Sequence, residues 1–149
     1  MQINKYLKMN TMKRILLLNF LLISLGLTTF QAQSFNSKKS LKPSSIGIVI
    51  YSNDAETVWN ALRLANYSKN EGDTVCVFLL GKGVEVEKLT EQNSNIKEQV
   101  NQLLDNGGTI LGCSTCLQSR KNDEPKVCKF SSMKDLYELI RKNKIVLTF

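Results

Sequence analysis

Short apolar runs alternate with longer segments in which apolar residues recur at helical spacing, and this alternation restricts the fold more than any other feature of the chain. The runs are residues 46–51 (IGIVIY), 74–80 (TVCVFLL), 109–112 (TILG) and 144–149 (KIVLTF). Continuous β-branched and apolar runs are typical of strands that are buried on both faces. Strands that alternate with helices predict a parallel sheet with right-handed crossovers and helices on both faces.

The three segments between these runs carry helical patterns with recognisable ends. The first helix is expected to begin after Asp54, which can cap it, and to end at Gly72. The second is expected to stop at 106–108 (NGG), and the third to be capped by Ser131 or Ser132. One face of the third helix would comprise four apolar residues, namely Met133, Leu136, Tyr137 and Ile140.

These elements together predict one α/β domain with the architecture of a three-layer α/β/α sandwich. We expect a flavodoxin-like arrangement with a mostly parallel sheet and, numbering the four apolar runs in chain order, strand order 2-1-3-4.

The N-terminal part of the chain has the features of a secretory signal peptide. A basic stretch at 12–14 precedes an almost wholly apolar segment at 15–30, with small and polar residues after it. We therefore expect a signal peptide at 1–33, a linker at 34–45 and the domain at 46–149, in an exported protein of the periplasm or cell exterior. Met12 is a second candidate for the true start, and an uncleaved anchor is the alternative to cleavage.

The charge of the chain comes largely from this segment. The formal net charge is +7, but residues 1–33 hold four cations and no acid, so the remainder has a net charge of +3. Its lysines and arginines are interspersed with acids, which argues against a nucleic-acid site. The chain has no histidine, which excludes Ser-His-Asp and Cys-His catalysis and every imidazole metal ligand.

Ligand and reactive sites of open parallel sheets lie beyond the carboxyl ends of the strands. Three segments are expected there: 51–54, 81–83 (GKG) and 112–116. The glycines of 81–83 could also indicate a phosphate loop, but without a Walker pattern around them a plain turn is the better interpretation. The stretch that follows, 84–89, is either irregular or a short helical turn.

Cys113 and Cys116 form a Cys-x-x-Cys motif directly after the third strand. A thiol at the N-terminus of a helix gains from free backbone N–H groups and the helix dipole, both of which stabilise a thiolate. Arg120 follows within two helical turns and is a candidate thiolate stabiliser. Sulfur transfer or disulfide exchange needs such a thiolate. The alternative is a plain structural disulfide, which is common in exported proteins.

The other two cysteines have different surroundings in the sequence. Cys76 lies inside the second strand and is expected to be a small buried core residue. Cys128 follows a polar loop, and three roles remain open for it: a structural disulfide, a resolving thiol, or a third metal ligand. Three thiolates without histidine are an incomplete set for zinc, so we predict neither a metal nor a cofactor.

At these residues the chain resembles the DsrE/DsrF-like family. The resemblance covers about 46–149 and rests on segments such as VCVFLLGKGVE and LGCSTCLQSR, most specifically on Cys113 with Arg120 seven residues later. It implies the DsrE-like sandwich fold and homo- or hetero-oligomers. In the sulfur-relay members, such as the TusD-type subunits, the cysteine that matches Cys113 carries persulfide sulfur.

The resulting hypothesis is an exported DsrE-like protein that carries or exchanges sulfur. Cys113 would be the nucleophile and persulfide carrier, Cys116 the resolving thiol, Arg120 a thiolate stabiliser and Cys128 an auxiliary thiol. Its partners would be a protein or small thiol that donates or accepts sulfur, without nucleic acid. The alternative is a non-catalytic binding or assembly module with structural disulfides or a cysteine-bound metal.

Overall fold

The computed structural model describes residues 42–149. The expected signal peptide at 1–33 and most of the expected linker at 34–45 lie outside the described residues. None of the helices in the described part is long and apolar enough to span a membrane.

Five strands and five α-helices alternate along the described chain. The strands are β1 (Ser45–Ile50), β2 (Thr74–Leu79), β3 (Thr109–Cys113), β4 (Lys129–Ser131) and β5 (Ile145–Thr148). The helices are α1 (Ala55–Asn70), α2 (Val86–Gln92), α3 (Ser94–Asp105), α4 (Ser114–Gln118) and α5 (Met133–Lys142), and a 3₁₀-helix spans Gly81–Glu85. The turn at 81–83 and the stretch at 84–89 are therefore helical, in the 3₁₀-helix and α2.

The sheet is parallel throughout, with the order β4-β3-β2-β1-β5. The expected order 2-1-3-4 is wrong, because β3 pairs with β2 and the C-terminal strand pairs with β1. β4, three residues long, was not expected from the sequence. It extends the sheet at the β3 edge, where Cys113 pairs with Ser131.

Helices cover both faces of this sheet. The crossovers from β1 to β2 and from β2 to β3 run in one direction, and α1 packs against α3 on that face. The connection from β4 to β5 runs back across the sheet, so a right-handed crossover places α5 on the opposite face. There Leu139 lies against Gly47 of β1, where an added Cβ would come within 2.4 Å of the leucine side chain. The expected three-layer α/β/α fold is confirmed.

The ends of the helices follow the sequence signals. Asp54 caps α1 by accepting a hydrogen bond from the backbone N–H of Thr57 (2.8 Å). Ser132, rather than Ser131, caps α5 in a reciprocal capping box with Asp135. Gly72 follows α1 with φ +94°, a left-handed conformation that favours glycine.

The apolar face of α5 differs from the expectation. Leu139 is buried and Leu136 half-buried, whereas Met133, Tyr137 and Ile140 are 61%, 63% and 50% exposed. The last three residues recur at i, i+4 and i+7 and form one stripe along the helix, which we call the α5 stripe. Helix α5 therefore covers the sheet with one side and presents apolar side chains to solvent with another.

Candidate functional site

The Cys-x-x-Cys segment lies at the carboxyl end of β3, where strand gives way to helix. Cys113 is the last residue of the strand and the N-cap of α4, so Cys116 lies in the first turn of that short helix. The hydroxyl of Ser114 donates a hydrogen bond to the carbonyl of Ser131 (3.0 Å), which ties the start of α4 to β4. Pairing of β3 with β4 therefore fixes the place where the two thiols leave the sheet.

The two thiols differ in exposure. Cys113 is 5% exposed and packs within the core. Cys116, one turn later, is half-buried, and its sulfur accepts a hydrogen bond from the backbone N–H of Gly81 (3.3 Å). Gly81 opens the 3₁₀-helix after β2, so two of the three segments expected at this edge of the sheet meet at the Cys116 sulfur.

The environment raises the pKa of Cys113 above its ordinary value. Burial is the largest cause, and the thiol of Cys116 beside it adds to the effect. The backbone N–H groups of Cys116 and Thr115 act in the opposite direction, as the N-terminus of a helix is expected to do. Burial outweighs them, so the position at the helix N-terminus does not by itself produce a low-pKa thiol at Cys113.

Arg120 lies near the motif but its guanidinium is directed at a carboxylate. Its Nε donates to Oε1 of Glu85 (2.8 Å), and its Nη1 donates to the carbonyl of Cys116 (3.1 Å). Asn53 also donates to Glu85 (3.1 Å), and these two bonds, with that of Arg120 the stronger, lower the pKa of the Glu85 carboxyl. Arg120 thus joins α4 to the 3₁₀-helix and reaches the motif through a backbone carbonyl.

Cys128 occupies a separate buried position next to β3. An added Cβ on Gly112 would lie 2.5 Å from its sulfur and 3.0 Å from Leu117, so the missing side chain of Gly112 makes room for this thiol. Burial, followed by the charge of Glu87, raises the pKa of Cys128 to about 11. At neutral pH this thiol is therefore fully protonated.

Glu87 holds the polar loop that precedes Cys128. One carboxylate oxygen accepts a hydrogen bond from the side chain of Asn122 (2.8 Å), and the other accepts one from the backbone N–H of Lys126 (2.9 Å). Neither Glu85 nor Glu87 was a candidate from the sequence. Each binds residues 32 or more positions away, and no local pattern signals such pairing.

Cys76 is half-buried within β2 and packs against the core, so it is less buried than the sequence suggested. Burial raises the pKa of its thiol. Its strand neighbours are Gly47 and Thr109, which places it well before the carboxyl ends of the strands. Its position is that of a packing residue.

The arrangement gives no support for a metal. Within residues 42–149, no three cysteine, aspartate or glutamate side chains are grouped in a way that could hold one. A cleft of about 520 Å³ lies beside α4 on the Arg120 side, with acidic and basic side chains in similar number. Neither Cys113 nor Cys116 lines this cleft.

Comparison with known proteins agrees with this architecture. The chain is 30% identical over 100 residues to the uncharacterized protein MJ0989 of Methanocaldococcus jannaschii, over 63% of this chain and 88% of that protein. The crystal structure of the Escherichia coli YchN protein superposes with a TM-score of 0.62 and 20% identity, over 72% of this chain and 99% of that one.

A second solved structure, the conserved protein of unknown function BT1422 from Bacteroides thetaiotaomicron, superposes with a TM-score of 0.59 and 21% identity, over 71% of this chain and 95% of that one. At these identities the structures establish a shared fold. The DsrE/DsrF-like family model matches residues 44–149, nearly all of the described part. The chain belongs to the DsrE/DsrF-like family.

Proposed function

We propose that this protein handles sulfur through the thiols of Cys113 and Cys116, by carrying sulfane sulfur as a persulfide or by thiol–disulfide exchange. Membership of the DsrE/DsrF-like family supports a role of the sulfur-relay type in general. The observation that carries the finer proposal is the hydrogen bond from the Gly81 N–H to the Cys116 sulfur. A fixed amide donor stabilises negative charge on sulfur, the form in which a thiol attacks.

The chemistry requires only the two thiols and a sulfur donor. A thiolate attacks the outer sulfur of a donor persulfide, the S–S bond of the donor breaks, and the donor leaves as its own thiolate. The second thiol, three residues away, can then displace the carried sulfur and close a disulfide. A site of this kind suits transient carriage or exchange better than long storage.

We place this activity outside the cytoplasm, in the periplasm or at the cell exterior. The support is the pattern of the first 33 residues, in which a basic stretch precedes an uncharged apolar segment. In that setting the sulfur donor or acceptor would be a small thiol, a polysulfide or an exported protein.

Loading with inorganic polysulfide tests the proposal. The full chain is reduced, exposed to polysulfide and analysed by intact mass and peptide mapping. We expect added sulfur, or a Cys113–Cys116 disulfide formed after its release. The variant Cys113→Ser/Cys116→Ser should take up none at this segment, and the matched Cys76→Ser/Cys128→Ser variant should load like the wild type. Uptake that is equal in both double variants would contradict the proposal.

We also propose that the protein works as an oligomer or with a partner protein. The support within the described residues is the α5 stripe, Met133, Tyr137 and Ile140, which exposes half or more of each side chain. Light scattering of the wild type and of Tyr137→Glu tests whether the stripe joins copies of this chain. A wild-type monomer would restrict the proposal to a different partner protein.

A further inference from the structure

The two thiols of the motif are not equivalent, and their surroundings assign them different roles. We propose that Cys116 is the attacking thiol and that Cys113 is the resolving thiol, which reverses the roles expected from the sequence. The assignment rests on the proposed function for its substrate, but the order of the two thiols can be measured without any sulfur donor.

Access is the first observation. An attacking sulfur must be reached in line with the S–S bond that it cleaves, so it needs an open approach. Cys116 is half-buried on the first turn of α4, whereas Cys113 is 5% exposed at the end of β3. A resolving thiol needs no such opening, because its target is the adjacent residue of the same site.

A backbone hydrogen-bond donor to the Cys116 sulfur is the second observation. The N–H of Gly81 lies 3.3 Å from the Cys116 sulfur and donates to it. This donor belongs to another element, the 3₁₀-helix after β2. For Cys113, burial and the neighbouring thiol raise the pKa, which keeps this second thiol protonated while Cys116 reacts.

The Gly81 donor is held rigidly. Gly81 has φ +56°, a left-handed conformation suited to glycine. The N–H of Leu80 donates to the carbonyl of Ile50 (2.9 Å), and Gly83 packs so closely on that strand end that an added Cβ would lie 2.0 Å from the same carbonyl oxygen. The turn at 81–83, which has no Walker pattern, thus gains a role as a donor for sulfur.

The attack step follows from these contacts. The Cys116 thiolate bonds to the outer sulfur of a donor persulfide, the donor S–S bond breaks, and the donor departs as a thiolate. The inner sulfur of the new Cys116 persulfide stays at the N–H of Gly81. In the resolving step this sulfur is attacked by Cys113.

The resolving step balances as an oxidation of the two cysteines. The Cys113 sulfur bonds to the Cys116 sulfur, the bond to the outer sulfur breaks, and that sulfur leaves with the Cys113 proton as H₂S. The outer sulfur is reduced and the cysteine pair becomes a disulfide. Two molecules of a low-molecular-weight thiol then restore both cysteines and are themselves joined as a disulfide.

The order of attack is tested with dithiobis-nitrobenzoate, an aromatic disulfide that releases a coloured thiolate. In the wild type, attack by Cys116 releases one coloured thiolate, and resolution by Cys113 releases a second and leaves the Cys113–Cys116 disulfide. Cys113→Ser should release one and stop at a stable mixed disulfide on Cys116. Cys116→Ser should react about tenfold more slowly than Cys113→Ser, because its remaining motif thiol is buried.

Peptide mapping identifies the labelled thiol in each case and separates the contributions of Cys76 and Cys128. First labelling at Cys113 in the wild type, or equal rates in the two single variants, would overturn the assignment. A protein that labels first at Cys116 but takes up no sulfur from polysulfide would keep the thiol order and lose the proposed function, so the two failures are distinguishable.

The contribution of the turn is tested by replacing the N–H of residue 81 with an ester oxygen, using glycolic acid in place of glycine. We expect a slower reaction of Cys116, with no change at Cys128. Gly81→Asn is the matched control, since asparagine tolerates a left-handed conformation and retains the N–H. An ester variant that labels as fast as Gly81→Asn would remove Gly81 from the mechanism.

Discussion

The Cys116 thiol at the end of the sheet and the Cys128 thiol beside β3 occupy opposite kinds of environment, although both lie close to the same strand. Cys116 is half-buried and accepts a backbone N–H bond from Gly81. Cys128 is 8% exposed, lies over Gly112, and has a pKa raised to about 11. Burial without a donor keeps a thiol neutral, whereas partial exposure with a donor supports a thiolate.

Close packing in each of the two regions depends on a glycine without a side chain, but the neighbouring atoms differ. Gly83 lies against the backbone carbonyl of Ile50, and Gly112 lies against the Cys128 side chain. The backbone at Ile50 cannot move without disrupting β1, whereas the Cys128 side chain can be shortened by substitution. The turn beside the motif is therefore expected to be far less tolerant of change than the surroundings of Cys128.

The largest expected effect is that of Gly83→Ala. An added Cβ would lie 2.0 Å from the Ile50 carbonyl oxygen, so we expect a loss of about 3 kcal/mol in the free energy of unfolding. Chemical denaturation measures it. The exposed neighbour Lys82→Ala is the control and should change the free energy by no more than about 0.5 kcal/mol. A Gly83→Ala variant as stable as Lys82→Ala would show that the turn is not rigid.

Gly112→Ala should lower the free energy of unfolding by less than Gly83→Ala does, and the size of the loss should depend on the Cys128 side chain. The added Cβ would meet the Cys128 sulfur at 2.5 Å, and overpacking of this kind costs about 1–3 kcal/mol. In a double-mutant cycle, Cys128→Ala should recover part of that loss, since it removes the sulfur. Additive effects of the two changes would mean that the clash is relieved elsewhere.

The next largest expected effect is a difference between the wild type and Cys128→Ala in how stability depends on pH. Because the folded-state pKa of Cys128 is raised from 9.0 to about 11, its contribution is present below about pH 9 and is lost as the pH rises to about 11. The free energy of unfolding should fall more steeply over this window in the wild type than in Cys128→Ala. Denaturant titrations at several pH values measure the slopes. Equal slopes would indicate that the Cys128 thiol is accessible to water.

Arg120→Gln should have the smallest effect. Its ion pair with Glu85 is at the surface, with about a third of each side chain exposed, and such pairs contribute about 0–1 kcal/mol. Since the guanidinium reaches the motif only through the Cys116 carbonyl, labelling of Cys116 should change little in rate. The sequence-based role of Arg120 as a thiolate stabiliser predicts instead a marked fall in the rate of labelling, with Glu85→Gln as the matched variant.

Most of the fold could be predicted because the relevant signals are local. The four apolar runs, the cap at Asp54 and the stop at Gly72 each act within a few residues, and each was placed correctly. Strand order could not be predicted in this way, since parallel strands pair across long crossovers and the apolar runs are alike. The strand β4 was missed because it is three residues long and only Ser131 in it is buried.

The α5 stripe shows a different limit of pattern reasoning. Helical spacing correctly placed Met133, Tyr137 and Ile140 on one side of α5, but it could not say which side faces the sheet. Leu139 decides this by packing on Gly47. Periodicity defines an apolar face, and the tertiary structure determines whether that face is covered.

Local sequence patterns were sufficient to predict the family, the layered α/β architecture and the position of the Cys-x-x-Cys motif after the third strand. The differences between the cysteines depend instead on tertiary contacts. Three contacts separate the cysteines, and each depends on residues from different elements of the fold. They are the burial of Cys113, the N–H bond from Gly81 to Cys116 and the packing of Cys128 on Gly112. A thiol responds to charges, donors and exclusion of water within a few ångströms, and neighbours at that distance are set by how strands pair.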